Sequence, residues 1–177
     1  VSRADILDAL CEAVRKNPGA MLNLSDDFLN LQRRIACSSK WHPESGLPDL
    51  STGNIAERAH SWLPLYAPDA SGTSDLKKLD MSAVLWGMLD YQQQQMVDRT
   101  DPSHITVPTG SSIRLQYRVG ADAPVLRVRL QECFGLTDTP RVDCGRLPVL
   151  MELLSPGFKP VQLTSDLASF WSGTYFQ

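Results

Sequence analysis

Through the first hundred positions apolar residues recur at helical spacing. In "ADILDALCEAVRKNPG" Ile6, Leu7, Leu10 and Val14 share a face, and Asn17, Pro18 and Gly19 end the run. In "LSDDFLNLQRRIACSSKW" the stripe is Phe28, Leu31 and Ile35. Ser25 stands where a helix N-cap belongs, and Asp26 and Asp27 fill the first turn, where carboxylates favour the helix dipole. The loop "HPESGLPDLSTG" leads into "NIAERAHSWLPLY", whose buried side is Ile55, Ala59 and Trp62. After a Gly/Ser/Asp turn at residues 69–75, "LKKLDMSAVLWGMLDYQQQQMVDRT" predicts one long helix or two short ones with Leu85, Met88, Leu89 and Met96 turned inward.

At Asp101-Pro102 the period drops from helical to two. "HITV", "SIRLQYR", "PVLRVRL", "LPVLMELL" and "KPVQLT" are five strand candidates, each bounded by Pro or Gly. "SDLASFWSGTYFQ" then reads as a helix capped by Thr164 or Ser165 and anchored by Leu167, Phe170 and Trp171. The expected fold class is α+β: a helical subdomain over 1–100, then a β-rich subdomain over 101–177 holding a mainly antiparallel five-stranded sheet or small barrel-like sheet and a C-terminal helix. The two parts form either separate subdomains or one continuous accessory domain.

Composition adds limits. The 177 residues carry 17 Lys+Arg and 20 Asp+Glu, a formal charge of -3, with 42% hydrophobic residues, which is ordinary for a globular chain. The acidity sits in the first hundred residues, with 13 acids and 10 bases, against 7 of each beyond them, six of those bases being Arg. Net charge alone therefore holds no nucleic acid, and any such binding needs a local patch. Cys11, Cys37, Cys133 and Cys144 show neither a C-x-x-C nor zinc-finger spacing to a His and read as reduced thiols. No apolar run is long enough for a membrane span, so no membrane partner is expected.

Candidate chemistry is sparse. "HITVPTGSSIRLQY" at first suggests a strand feeding a phosphate loop, but it has one Gly, no Lys, and a following strand instead of a helix; it predicts a hairpin with Gly110 at positive φ. His42, His60 and His104 are scattered, and no nucleophile elbow exists. No catalytic residue and no metal site are assigned. One constellation has a shape. Alternation places Ile113, Leu115 and Tyr117 inward with Arg114, Gln116 and Arg118 outward, and Leu126, Val128 and Leu130 inward with Arg127 and Arg129 outward. If the strands pair, Arg114, Arg118, Arg127 and Arg129 share one sheet face, which either binds a phosphate backbone or is a solvated face neutralised by acids such as Glu152. Trp41, Trp62, Trp86 and Trp171 sit among apolar helix positions and read as core, not as stacking platforms.

The succession "HITVPTGSSIRLQY", "PVLRVRLQECFGLTDTPRV" and "GRLPVLMELLSPGFKPVQLTSDLASFWSGTY" resembles the C-terminal module of bacterial HrpB-type ATP-dependent helicases, relatives of the DEAH-box RNA helicases. "WLPLYAPDASGTSDLKKLDMSAVLWGMLDYQQQQMVD" resembles the preceding segment of that family, although the family often has a Trp after the first helix where this chain reads "MLNLSDD". The resemblance implies an accessory C-terminal region, non-catalytic by itself, of a cytoplasmic bacterial protein. The parent's ATP and Mg would be held by RecA-like domains whose motifs are absent from this sequence, so no cofactor is expected in this region. Family members continue past this last helix with a basic tail, so part of any basic surface would lie beyond Gln177. The implied partners are the helicase core of the same polypeptide and RNA or DNA. The alternative is a protein-interaction or structural domain with no direct nucleic-acid contact.

Overall fold

The computed structural model describes residues 2–174. Helix α1 (Arg3–Lys16) is capped by Ser2, and Asn17 both closes it and caps the short α2 (Pro18–Met21). Ser25 Oγ accepts from Phe28 N–H at 3.2 Å to start α3 (Asp26–Trp41), the cap its sequence predicts. The stretch expected as one helix over 54–66 is two, α4 (Thr52–Glu57) and α5 (Ala59–Tyr66), because Arg58 leaves helical geometry between them. A short α6 (Thr73–Leu76) ends the predicted turn. The next periodic run divides into α7 (Met81–Gly87) and α8 (Tyr91–Thr100), where Asp90 and Gln93 form a reciprocal capping box. On α8 it is Val97, with no exposed surface, that enters the core, while Met96 is half-buried.

The β-rich half departs from the expected single sheet. Strands β1 (His104–Thr106) and β2 (Ser112–Arg114) form the antiparallel hairpin, with Gly110 at φ 91° in its loop. Strands β3 (Val125–Arg129), β6 (Leu150–Leu154) and β7 (Pro160–Thr164) form a three-stranded sheet in which β3 and β6 run parallel and β7 is antiparallel. β4 (Arg141–Val142) and β5 (Leu147–Pro148) make a separate two-residue ribbon. There are thus three small sheets among the described residues, where a mainly antiparallel five-stranded sheet or barrel was expected. The parallel pair has a clear origin: residues 130–149, with a 3₁₀ turn at Leu130–Cys133 and the β4–β5 ribbon, are long enough to return the chain to the same end of the sheet.

"SIRLQYR" also stops short as a strand. After Arg114 the ladder breaks, and only a single bridge, Gln116 with Val125, joins this segment to β3. The reason is that α3 takes over its backbone partners. Asn30 Oδ1 accepts from Tyr117 N–H at 3.5 Å, and the Cys37 thiol donates to the Arg118 carbonyl at 3.4 Å. The C-terminal helix begins at Leu167, and its cap is Asp166, which accepts from Ser169 N–H, in place of Thr164 or Ser165. Its continuation through Phe170–Thr174 is a π-type turn, and positions 175–177 of the expected helix lie outside the described residues.

Two apolar clusters result. The helical one gathers Leu10, Phe28, Ile35, Trp62, Leu63 and Leu85 with others; the β one gathers Leu115, Tyr117, Leu126, Val128, Met151 and Leu167 with others. The four tryptophans belong to these clusters, as expected: Trp62 and Trp86 to the first, Trp41 and Trp171 to the second. Helix α3 serves both. Phe28, Leu31 and Ile35 face the helical core, whereas Cys37 and Trp41 enter the β core.

Candidate nucleic-acid interface

The join between the two clusters is polar. Asp101, at the end of α8, is completely buried and accepts a hydrogen bond from Ser38 Oγ. Arg34, 8% exposed, donates from Nε to the Asp101 carbonyl at 2.7 Å and from Nη2 to Asp98 at 3.1 Å. Tyr117 Oη donates to the Pro102 carbonyl at 2.7 Å. Opposite, His42 Nε2 lies 2.6 Å from Asp143 Oδ1, and Asp143 N–H donates to the Thr100 carbonyl, which holds Asp143 in its left-handed conformation at φ 54°. Burial pushes the Asp101 carboxyl up to about 7, against the pull of Ser38 and the Arg34 charge. Hydrogen bonding to Asp143 raises His42, and burial raises the Tyr117 phenol and brings the Cys37 thiol up to about 11. These groups fix the two halves together. Asp101 Oδ2 has no hydrogen-bond partner among the described residues and no exposed surface, so it is a buried orphan and not a base facing a substrate.

The predicted arginines are placed unequally. Arg127, exposed on β3, meets Glu152 of β6 at 3.2 Å, the neutralisation anticipated as the alternative for this face, and register sets the two residues directly opposite. Arg129 approaches Glu132 at 3.8 Å and lies 5.0 Å over the Phe158 ring. Arg114 turns to the start of α3, with Nη1 3.1 Å from Asp27 Oδ1 and Nη2 donating to the Asp26 carbonyl at 3.0 Å. Arg118 is exposed, and its guanidinium meets no carboxylate among the described residues. The four arginines therefore do not share one sheet face, because β2 and β3 belong to different sheets: Arg114 and Arg118 line a common cleft against α3, and Arg127 and Arg129 stay on β3 with their own acids.

That cleft, of about 270 Å³, contains a further arginine the strand pattern did not single out: Arg33 of α3, exposed and likewise without a carboxylate among the described residues. A signal for it existed. Asp26, Asn30, Arg33 and Cys37 recur at helical spacing, marking a second face of α3 beside the apolar stripe. Being mostly polar, that face carries no hydrophobic period.

Comparison with known proteins agrees with this architecture. A family model described as ATP-dependent helicase C-terminal matches residues 62–177. Over 174 residues the chain is 36% identical to the ATP-dependent RNA helicase HrpB of Escherichia coli (strain K12), covering 98% of this chain and 21% of that protein. The crystal structure of the E. coli DExH-box NTPase HrpB superposes with a TM-score of 0.92 at 35% identity, over 99% of this chain and 22% of that one. A crystal structure of the Escherichia coli DEAH/RHA helicase HrpB gives 0.86 at 34% identity, again over 99% and 22%. The chain thus has the fold of the region that the family model describes as ATP-dependent helicase C-terminal. It belongs to the ATP-dependent helicase C-terminal family, and its similarity within that family is to HrpB, of which it spans about a fifth of the length.

Proposed function

We propose that this chain is a non-catalytic accessory region of a cytoplasmic RNA helicase, packed on the helicase core and adding cationic contacts that help the parent hold its strand. The single observation that carries the reading is the match to about a fifth of an ATP-dependent RNA helicase, by a stretch that lacks the motor's own motifs. The one stretch with a superficial likeness to a phosphate loop is a hairpin with no lysine, so it does not fit ATP; ATP and Mg belong to the parent's core. The candidate strand contacts are the four arginines of the predicted constellation, Arg114 and Arg118 ahead of Arg127 and Arg129, which would first have to release Glu152 and Glu132.

A second reading, docking without nucleic-acid contact, is favoured by the apolar side chains Phe158, Val161 and Leu163, which are all exposed at and beside the edge strand β7.

The test is ATP turnover. The isolated chain is expected to hydrolyse no ATP with or without RNA. The full-length helicase lacking this region is expected to retain its maximal RNA-stimulated rate but to need at least about tenfold more single-stranded RNA for half-stimulation, the loss that removing two to three phosphate contacts brings at low salt. An unchanged half-stimulating concentration favours the docking reading instead.

A further inference from the structure

We infer that the cleft between α3 and residues 114–118 is a phosphate-backbone site for single-stranded RNA, and that Arg33 and Arg118, not the four sheet arginines together, are its principal ligands. The inference rests on the RNA-assisting role proposed above and names the place where that role is exercised. Three guanidiniums from two elements line the cleft, Arg33 from α3 and Arg114 and Arg118 from the chain after β1, and Asp26 is the one acid among the lining residues.

What separates these arginines is the state of their charge. A phosphate oxygen approaching Arg127 or Arg129 competes with a carboxylate already in place. At Arg33 and Arg118 it competes only with water, since no carboxylate meets either guanidinium among the described residues. Arg114 is intermediate. Its bonds to Asp27 and the Asp26 carbonyl orient it, while 38% side-chain exposure leaves part of its fork accessible.

Neutral donors complete the site. Asn30 lines the cleft with its Oδ1 engaged by Tyr117 N–H, and its amide nitrogen makes no hydrogen bond with a described residue. Gln116 is exposed beside it. Fixed donors around exposed guanidiniums suit phosphodiester oxygens, and the absence of an exposed aromatic among the lining residues argues for backbone contact without base stacking. Recognition is therefore expected to be independent of sequence.

The experiment uses the full-length helicase and a fluorescein-labelled single-stranded oligouridine in polarisation titrations over a salt series. Arg33→Glu with Arg118→Glu is expected to weaken binding at least about tenfold at low salt and to make the log Kd against log salt slope shallower by about 1.4, two phosphate contacts at the single-strand value. Arg33→Lys with Arg118→Lys keeps the charge and is expected to keep the slope. Asp27→Asn releases Arg114 and is expected to tighten binding. Arg127→Glu with Arg129→Glu is expected to change little. Unchanged affinity and slope for the Arg33→Glu/Arg118→Glu protein, when deletion of the whole region does weaken binding, overturns the cleft alone. Deletion without effect overturns the RNA-assisting role beneath it. If the charge reversal lowers the thermal midpoint, the lysine pair and Asp27→Asn decide: loss of slope in the first, or no gain in the second, goes against the site.

Discussion

Arg34→Met is expected to destabilise the protein by about 2–4 kcal/mol, the cost of leaving a buried acceptor unpaired and removing the charge beside a buried acid. For a chain of this length that lowers the thermal midpoint by on the order of 10 °C. The cost reflects where the guanidinium's bonds go. The ion pair to Asp98 contributes little, because the Asp98 side chain is 56% exposed. The larger part is the Nε bond to the Asp101 carbonyl, in a region water does not reach, together with the favourable field Arg34 exerts on the Asp101 carboxyl. Arg34→Lys is expected to recover only part of the loss, since one ammonium does not reproduce a fork aimed at Asp101 and Asp98 together. Arg33→Met, one position earlier and exposed, is the control and should leave the midpoint unchanged. Differential scanning calorimetry on the three variants decides the matter, and an Arg34→Met midpoint equal to that of Arg33→Met contradicts the assignment.

The second large effect is a pH dependence centred on Asp101. Its folded pKa, about 7, lies above the ordinary value of 3.8, so the folded state binds this proton more tightly than the unfolded chain does. The stability it supplies is complete below about pH 4 and is lost as pH rises through 7, on the order of 1.4 kcal/mol for each unit between the two values. His42 acts in the same sense. Raised by Asp143 and Glu44, it contributes stability that is present below its unfolded value of 6.5 and lost above its folded one. The charges facing Asp101 are Arg34, His42 and Asp143, and only Asp143 adds to the rise caused by burial. Asp101→Asn keeps an acceptor for Ser38 and carries no charge. At pH 8 it is expected to be more stable than the parent by about 1–3 kcal/mol, and at pH 4 to have lost that advantage. Urea unfolding at several pH values measures the difference, and a constant offset between the two proteins would show that Asp101 does not titrate in this window.

Both predictions concern a seam whose residues were present in the sequence but carried no period. The helical half was largely legible: the Ser25 cap, the α3 stripe and the break at Asp101-Pro102 all lie in local spacing. The alternation of Leu115 and Tyr117 against Arg114 and Arg118, and of Leu126 and Val128 against Arg127 and Arg129, likewise gave the buried side of each strand. Strand pairing was not legible, because it depends on where the chain travels between strands. Residues 130–149 turn what five short strands suggested as antiparallel neighbours into a parallel β3–β6 pair, and the α3 side chains Asn30 and Cys37 replace a neighbouring strand at Tyr117 and Arg118. The same contacts redraw the arginine constellation. Alternation sends Arg127 and Arg129 outward, yet Glu152 and Glu132 already engage them, and the cleft recruits Arg33 from α3, a helix that ends at Trp41, far ahead in sequence of strands that begin at Ser112 and Val125.

The most direct measurement of the functional role is the salt dependence of RNA binding by the full-length helicase with and without this region, taken as log Kd against log salt on single-stranded oligouridine. If the region contributes two to three phosphate contacts, its removal makes the slope shallower by about 1.4–2. Parallel lines, whatever their offset, would mean that the region adds no ionic contact to the strand and serves only to pack against the core.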